Sequence, residues 1–133
     1  MMKKIIVTML GFGLVIIGGI IGCAKDTTLI IKNDVVVTNT VSFSKDLVPI
    51  FIQNCALSGC HASGGQVPDL TAAKAYNSII NASLVNTNNP TSSIIYERLT
   101  GVLTPAMPFG KTSNPSNINN LVLAWIKQGA KNN

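Results

Sequence analysis

Cys55-Ala56-Leu57-Ser58-Gly59-Cys60-His61 places two thiols close together and an imidazole directly after the second. Four chemistries use such a set. Two thiols exported to an oxidising compartment can close a disulfide, which leaves His61 without a role. Thiolates and imidazole ligate zinc, but a structural zinc site wants a fourth ligand, and no further Cys or His follows His61. Copper accepts thiolate, imidazole and thioether, although a blue-copper centre needs two His. The fourth chemistry is covalent haem attachment. Each thiol adds to one haem vinyl group, and the adjacent His is held under the iron. The usual spacing is C-x-x-C-H. Here it is C-x4-C-H, so two extra residues must loop out, and Ser58-Gly59 is a turn-forming pair suited to that.

The third cysteine, Cys23, belongs to a different chemistry. Met1-Met2-Lys3-Lys4 is a basic start, and Ile5 to Ile21 follows without a charge. This reads as an export signal over residues 1–22. The apolar run is slightly long for a signal core and just short of the ~20 residues that span a bilayer. Ile20-Ile21-Gly22-Cys23 at its end resembles a bacterial lipobox, in which cleavage precedes the Cys and its thiol carries a diacylglycerol. Acyl chains contribute roughly 0.8 kcal/mol per buried methylene, so the anchor holds firmly. The expected address is therefore an exported protein, lipid-anchored to a bacterial membrane on the periplasmic side or the cell surface.

Cleavage also removes Met1, Met2 and Met9 and leaves Met107 as the one methionine. It sits in Pro105-Ala106-Met107-Pro108, within a stretch that has no helical or strand periodicity. Core methionines usually fill gaps on helix faces. A thioether offered from a proline-stiffened loop instead suits a soft, neutral axial ligand to iron, opposite His61.

The elements that must position these groups are short. Residues 23–42 read as a lipid-anchored tether with weak strand character in Leu29-Ile30-Ile31 and Val35-Val36-Val37. Ser44 is the expected cap of a first helix through Asn54, with Pro49 near its start. Asp69 or Thr71 is the expected cap of a second helix through about Asn81. Pro90 opens a third through Leu99. Residues 100–113 form a long loop, and loops of that length in a small domain are usually functional. Asn114-Pro115 then starts a fourth helix, with Ile118, Leu121, Val122, Trp125 and Ile126 on one face and Gly129 at its end.

The chain has 133 residues, enough for one small domain. Apolar residues make up 47%, which excludes a disordered chain, while aromatics are only 5%. A core so poor in aromatics calls for a disulfide, a metal or a cofactor. Loss of Lys3 and Lys4 with the signal lowers the formal charge from +5 to +3, and the remaining basic residues are scattered. No nucleic-acid partner is expected. Catalysis by this domain alone is not expected either, because its single His is already committed and an open site needs acid and base partners.

Over residues 42–130 the chain resembles class I-type monohaem cytochrome c domains, particularly the short lipoprotein-linked ones of Bacteroidetes-like bacteria, in which C-x4-C-H recurs. Residues 43–51 look like the helix leading into the haem motif. Ser93-Ile94-Ile95-Tyr96-Glu97-Arg98-Leu99 is similar to the family's third helix. Met107-Pro108 resembles its distal ligand loop, and Trp125-Ile126-Lys127-Gln128-Gly129-Ala130 the end of its last helix. The resemblance implies an all-α domain over residues 43–133, with about four short helices around one covalently bound haem c. It implies thioethers from Cys55 and Cys60, axial ligation by His61 and Met107, and a Pro68 carbonyl accepting the His61 N–H. It also implies that the first and last helices cross beside the haem, with Phe51 and Trp125 as the candidate contact. The expected function is carriage of single electrons between redox partner proteins. The alternative is a copper-binding or disulfide-bonded lipoprotein without haem.

Overall fold

Ser42 opens the first helical segment by exchanging bonds with the turn that follows. Its Oγ accepts from the Lys45 N–H at 3.3 Å, and its own N–H donates to Asp46 Oδ2 at 2.7 Å. The reciprocal partner lies four residues on rather than the three of the usual capping box. That fits the wider π-helical turn formed by Phe43–Leu47. This turn runs directly into α1, Val48–Asn54, with Pro49 in the first turn of α1, where a missing N–H costs nothing. The expected cap, Ser44, donates its Oγ instead to the Asn133 carbonyl.

The computed structural model describes residues 37–112 and 114–133. The expected signal peptide, the Cys23 lipidation site and residues 24–36 of the expected tether lie outside the described residues. Among the described residues there are four α-helices and no strand, and no helix is long and apolar enough to cross a membrane. After α1 come α2, Ala75–Asn81, a 3₁₀ turn at Pro90–Ser92, α3, Ile94–Thr100, and α4, Ser116–Lys127. The domain is all-α.

α2 is shorter than its sequence signal. Asp69 holds Thr71 in a side-chain turn, and residues 71–74 form a separate turn before the helix proper. The segment after Pro90 also breaks: Ser93 is extended, and its buried Oγ accepts from the Asn86 N–H at 2.9 Å. α3 therefore starts at Ile94.

α4 supplies Val122, Trp125 and Ile126 to the core, the face its periodicity predicts. It ends in Gly129, whose φ of +93° lets the Ala130 N–H turn back to the Trp125 carbonyl at 3.0 Å. Leu47, Phe51, Ile79, Val122, Trp125 and Ile126 are essentially fully buried. Each such side chain contributes roughly 1.5–3 kcal/mol relative to exposure.

Phe43 stands at the centre of the aromatic cluster. Its ring lies 6.0 Å from Phe51, 5.3 Å from Tyr76 and 5.1 Å from Trp125. Phe51 and Trp125 are both core residues, as their types suggest, but Phe43 is the ring that stands between them. Contact between the start of the domain and α4 runs through the π-helical turn.

Polar bonds reinforce that seam. Gln128 Oε1 accepts from the Val41 N–H at 2.8 Å, and its Nε2 donates to the Asn39 carbonyl at 3.0 Å. Asn133 Oδ1 accepts from the Phe43 N–H, and its backbone carbonyl accepts from the Ser44 N–H, both at 2.9 Å. Val41, from the segment read as tether, is buried in this seam.

Candidate functional site

The backbone around Cys55-x4-Cys60-His61 is tied down at every turn. At the end of α1, the Cys55 and Ala56 N–H groups both donate to the Phe51 carbonyl at 2.8 Å. The Cys60 N–H donates to the Leu57 carbonyl at 2.9 Å, closing a tight turn over Ser58 and Gly59. Gly59 has φ +78°, a conformation that favours glycine. The His61 N–H then reaches back to the Cys55 carbonyl at 3.1 Å. The Cys60 carbonyl accepts from the Gln66 N–H at 2.6 Å, and the His61 carbonyl from the Leu70 N–H at 2.8 Å. A Cβ at Gly65 would collide with the Cys60 carbonyl, so this return path requires glycine.

The two thiols differ in environment. Both are free; Cys55 is half-buried and Cys60 exposed. Burial pushes the Cys55 thiol up to about 11, and a Cys60 thiolate nearby adds to the effect. Cys55 is therefore a protonated thiol at neutral pH, without the thiolate character of an activated nucleophile. Among the described residues, no three His, Cys, Asp or Glu side chains converge as a metal-ion site.

His61 is held through one ring nitrogen. Its Nδ1 lies 2.9 Å from the Pro68 carbonyl and 3.2 Å from the Gln66 carbonyl. Both partners are acceptors, so Nδ1 carries the proton and the Nε2 lone pair is left for a ligand. Pro68 is in turn fixed by its neighbour. Asp69 Oδ1 accepts from the Thr71 hydroxyl at 2.6 Å and the Thr71 N–H at 3.1 Å. Its Oδ2 accepts from Ser63 Oγ at 2.9 Å and pairs with Lys74 Nζ at 3.4 Å. The Thr71 bonds first, then Ser63 and Lys74, hold the Asp69 carboxyl well below the usual carboxylate range. The Asp69 N–H donates to Ser78 Oγ on α2 at 2.7 Å. Expected from sequence as a cap of the second helix, Asp69 instead anchors the loop that carries Pro68, and Lys74 stands at the cap position of α2 without a side-chain cap bond.

The Met107 loop is built on the end of α3. A helix leaves its last carbonyls without partners. Here the Glu97, Arg98 and Leu99 carbonyls accept from the Leu103, Met107 and Asn114 N–H groups at 3.1, 2.8 and 2.8 Å. Gly101 permits the reversal: φ is +81°, and a Cβ would collide with the Thr112 carbonyl. Arg98 Nη1 donates to the Pro105 carbonyl at 3.0 Å, and Asn114 Nδ2 donates to the Met107 carbonyl at 2.6 Å. A stretch without periodicity is thus an ordered loop. Arg98 and Asn114 carry no motif signal, because their partners are backbone atoms distant in sequence.

Cys55, Cys60 and His61 share one loop, and Met107 stands on another. The two loops share no hydrogen bond among the described residues, but Cys55 and Met107 both pack against the same buried cluster. Large apolar side chains bracket both loops on the surface. Ile52, Leu57 and Val67 flank the first; Val102 and Phe109, about three-quarters or more exposed, flank the second. Such residues suit contact with a large flat apolar group. A groove of about 280 Å³ lies elsewhere, at the 41–133 seam beside Trp125 and Gln128, and no candidate ligand lines it.

No known protein family, curated protein or solved structure matches the chain.

Proposed function

We propose that the chain is a lipid-anchored c-type cytochrome that carries one electron at a time between redox partner proteins. The observation that carries this reading is His61 itself. It directly follows the second of two loop thiols, and its Nδ1 is engaged by the Pro68 carbonyl, which leaves Nε2 for iron. Cys55 and Cys60 would supply the thioethers, and His61 and Met107 the axial ligands. The exposed apolar residues beside both loops and the all-α domain support the same reading. A haem bound there supplies a one-electron iron couple, which His/Met ligation poises toward the ferrous state. The chain's own part is to hold the donors rigid. The Pro68 carbonyl fixes the imidazole tautomer and raises its basicity, and the α3 carbonyls fix the Met107 backbone. If His61 and Met107 both held the iron, no position on it would be left for a substrate, so the proposed role is transfer and not catalysis. Cys23 would hold the domain at the membrane.

The test is the full chain made in a host with haem-maturation machinery. Optical spectra of oxidised and reduced protein, then haem staining of a denaturing gel, read the outcome. A sharp reduced α band with haem retained on the denatured chain supports the proposal. Replacing both Cys55 and Cys60 by Ser is expected to abolish retention. A colourless parent protein sinks it and returns Cys55 and Cys60 to the disulfide or copper readings.

A further inference from the structure

We infer that Asn114 is a positioning residue for Met107, held in turn by Asn119. The inference rests on the proposed haem ligation. Met107 is gripped through its own backbone on both sides. Its N–H donates to the Arg98 carbonyl at 2.8 Å, and its carbonyl accepts from Asn114 Nδ2 at 2.6 Å. Asn114 is anchored to the same helix end, since its N–H donates to the Leu99 carbonyl at 2.8 Å. The Asn114-Pro115 pair reads in sequence as a cap followed by the first helical residue, but Pro115 takes the cap position and Asn114 stands one residue outside it. α4 has no side-chain cap; the Asn114 amide reaches back to Met107 instead.

Asn119 completes the relay. It lies in the second turn of α4 and is 7% exposed. Its Nδ2 donates to the Asn114 carbonyl at 3.3 Å, while its Oδ1 is buried without a partner among the described residues. A buried amide with an unmet acceptor is unfavourable, and an apolar residue would fill the same helix face without that loss. Its one bond goes to the residue that grips Met107. The relay thus ties the position of the thioether donor to α4, the helix that buries Val122, Trp125 and Ile126 in the core. A ligand so held resists displacement by an external donor.

The experiment uses the full haem-loaded chain as parent, Asn114→Leu, Asn114→Ser and Met107→Leu. Asn114→Leu keeps the branching and heavy-atom count and removes the donor; Asn114→Ser is too short to reach the Met107 carbonyl and serves if the Leu variant does not fold. The readouts are the far-red thioether-to-ferric-iron band, imidazole affinity of the ferric protein, and helical circular dichroism. Loss of one such bond is expected to tighten imidazole binding about tenfold and weaken the band, with helix content unchanged. In the Met107→Leu background the same change is expected to have no effect on imidazole affinity. A folded Asn114 variant with parental imidazole affinity, even at a lower Tm, overturns the positioning role. A parent without haem, or with haem but no far-red band, overturns the ligation beneath it and is recognised before any variant is made.

Discussion

The Phe43 ring stacks at 5.1 Å, tilted 44°, on the Trp125 ring, so the first packed turn of the domain rests on its last helix. Phe43 touches three other aromatic rings, and aromatic pairs contribute about 0.5–1.5 kcal/mol each beyond area burial. Phe43→Ala is expected to lower unfolding free energy by about 4 kcal/mol, and Phe43→Leu by much less. Urea unfolding followed by Trp125 fluorescence checks both.

Gly59 and Gly101 both have φ near +80°, but only Gly101 faces a backbone wall. Gly59→Ala is expected to cost about 1 kcal/mol for the left-handed backbone alone. Gly101→Ala adds the collision with Thr112 and is expected to cost more than about 2 kcal/mol. Paired chemical denaturation curves separate the two. Equal losses would show that the Thr112 carbonyl yields.

In the haem-free chain, Cys60 is expected to react with iodoacetamide well before Cys55, because Cys55 is held as a thiol to about 11. The same displacement makes stability depend on pH. The folded chain keeps the Cys55 proton above 9.0, the ordinary value, where the unfolded chain releases it. This contribution is present below 9.0 and is lost as pH rises toward about 11. Mass-resolved labelling and alkaline unfolding midpoints test it; a Cys55→Ser chain is expected to lack that loss.

Asp69 behaves in the opposite sense. Its carboxyl is held low by Thr71, Ser63 and Lys74, so its contribution is present above the unfolded value of 3.8 and fades as pH falls below it. Asp69→Ala is expected to lower stability at neutral pH, with the difference from the parent shrinking as pH falls below 3.8. It should also loosen the loop that sets Pro68 over His61, read as broadening of the His61 ring signals in NMR of the haem-free chain. Asp69→Asn, which keeps an acceptor for Thr71, is expected to lose less.

The sequence revealed what is local and periodic. The apolar face of α4, its glycine stop and the Ser58-Gly59 turn are each written in neighbouring residues, and the structure has them. Helix starts were less legible. Ser42 displaces Ser44 because Asp46 completes a wider turn than the usual spacing suggests. α2 starts late because Asp69 binds Thr71. For the candidate site, the residue types were plain in sequence, but their supports were not. The bonds to Met107 join loop amides to the ends of α3, and no periodicity encodes such partners. Phe43 was hidden for a related reason: a single ring shows no pattern until the chain brings three others to it.

Asn133 gives Phe43, Ser44 and Val41 their partners from about ninety positions away. Synthesis from the N-terminus delivers residue 43 long before residue 133. Until Asn133 arrives, the opening turn lacks its closing bonds, and contacts between such distant residues form slowly. The loop bearing Cys55 and Cys60 emerges early and waits beside an unfinished seam. The order of synthesis therefore leaves an interval in which Cys55 has not yet packed against its buried cluster, while Cys60 stays exposed throughout.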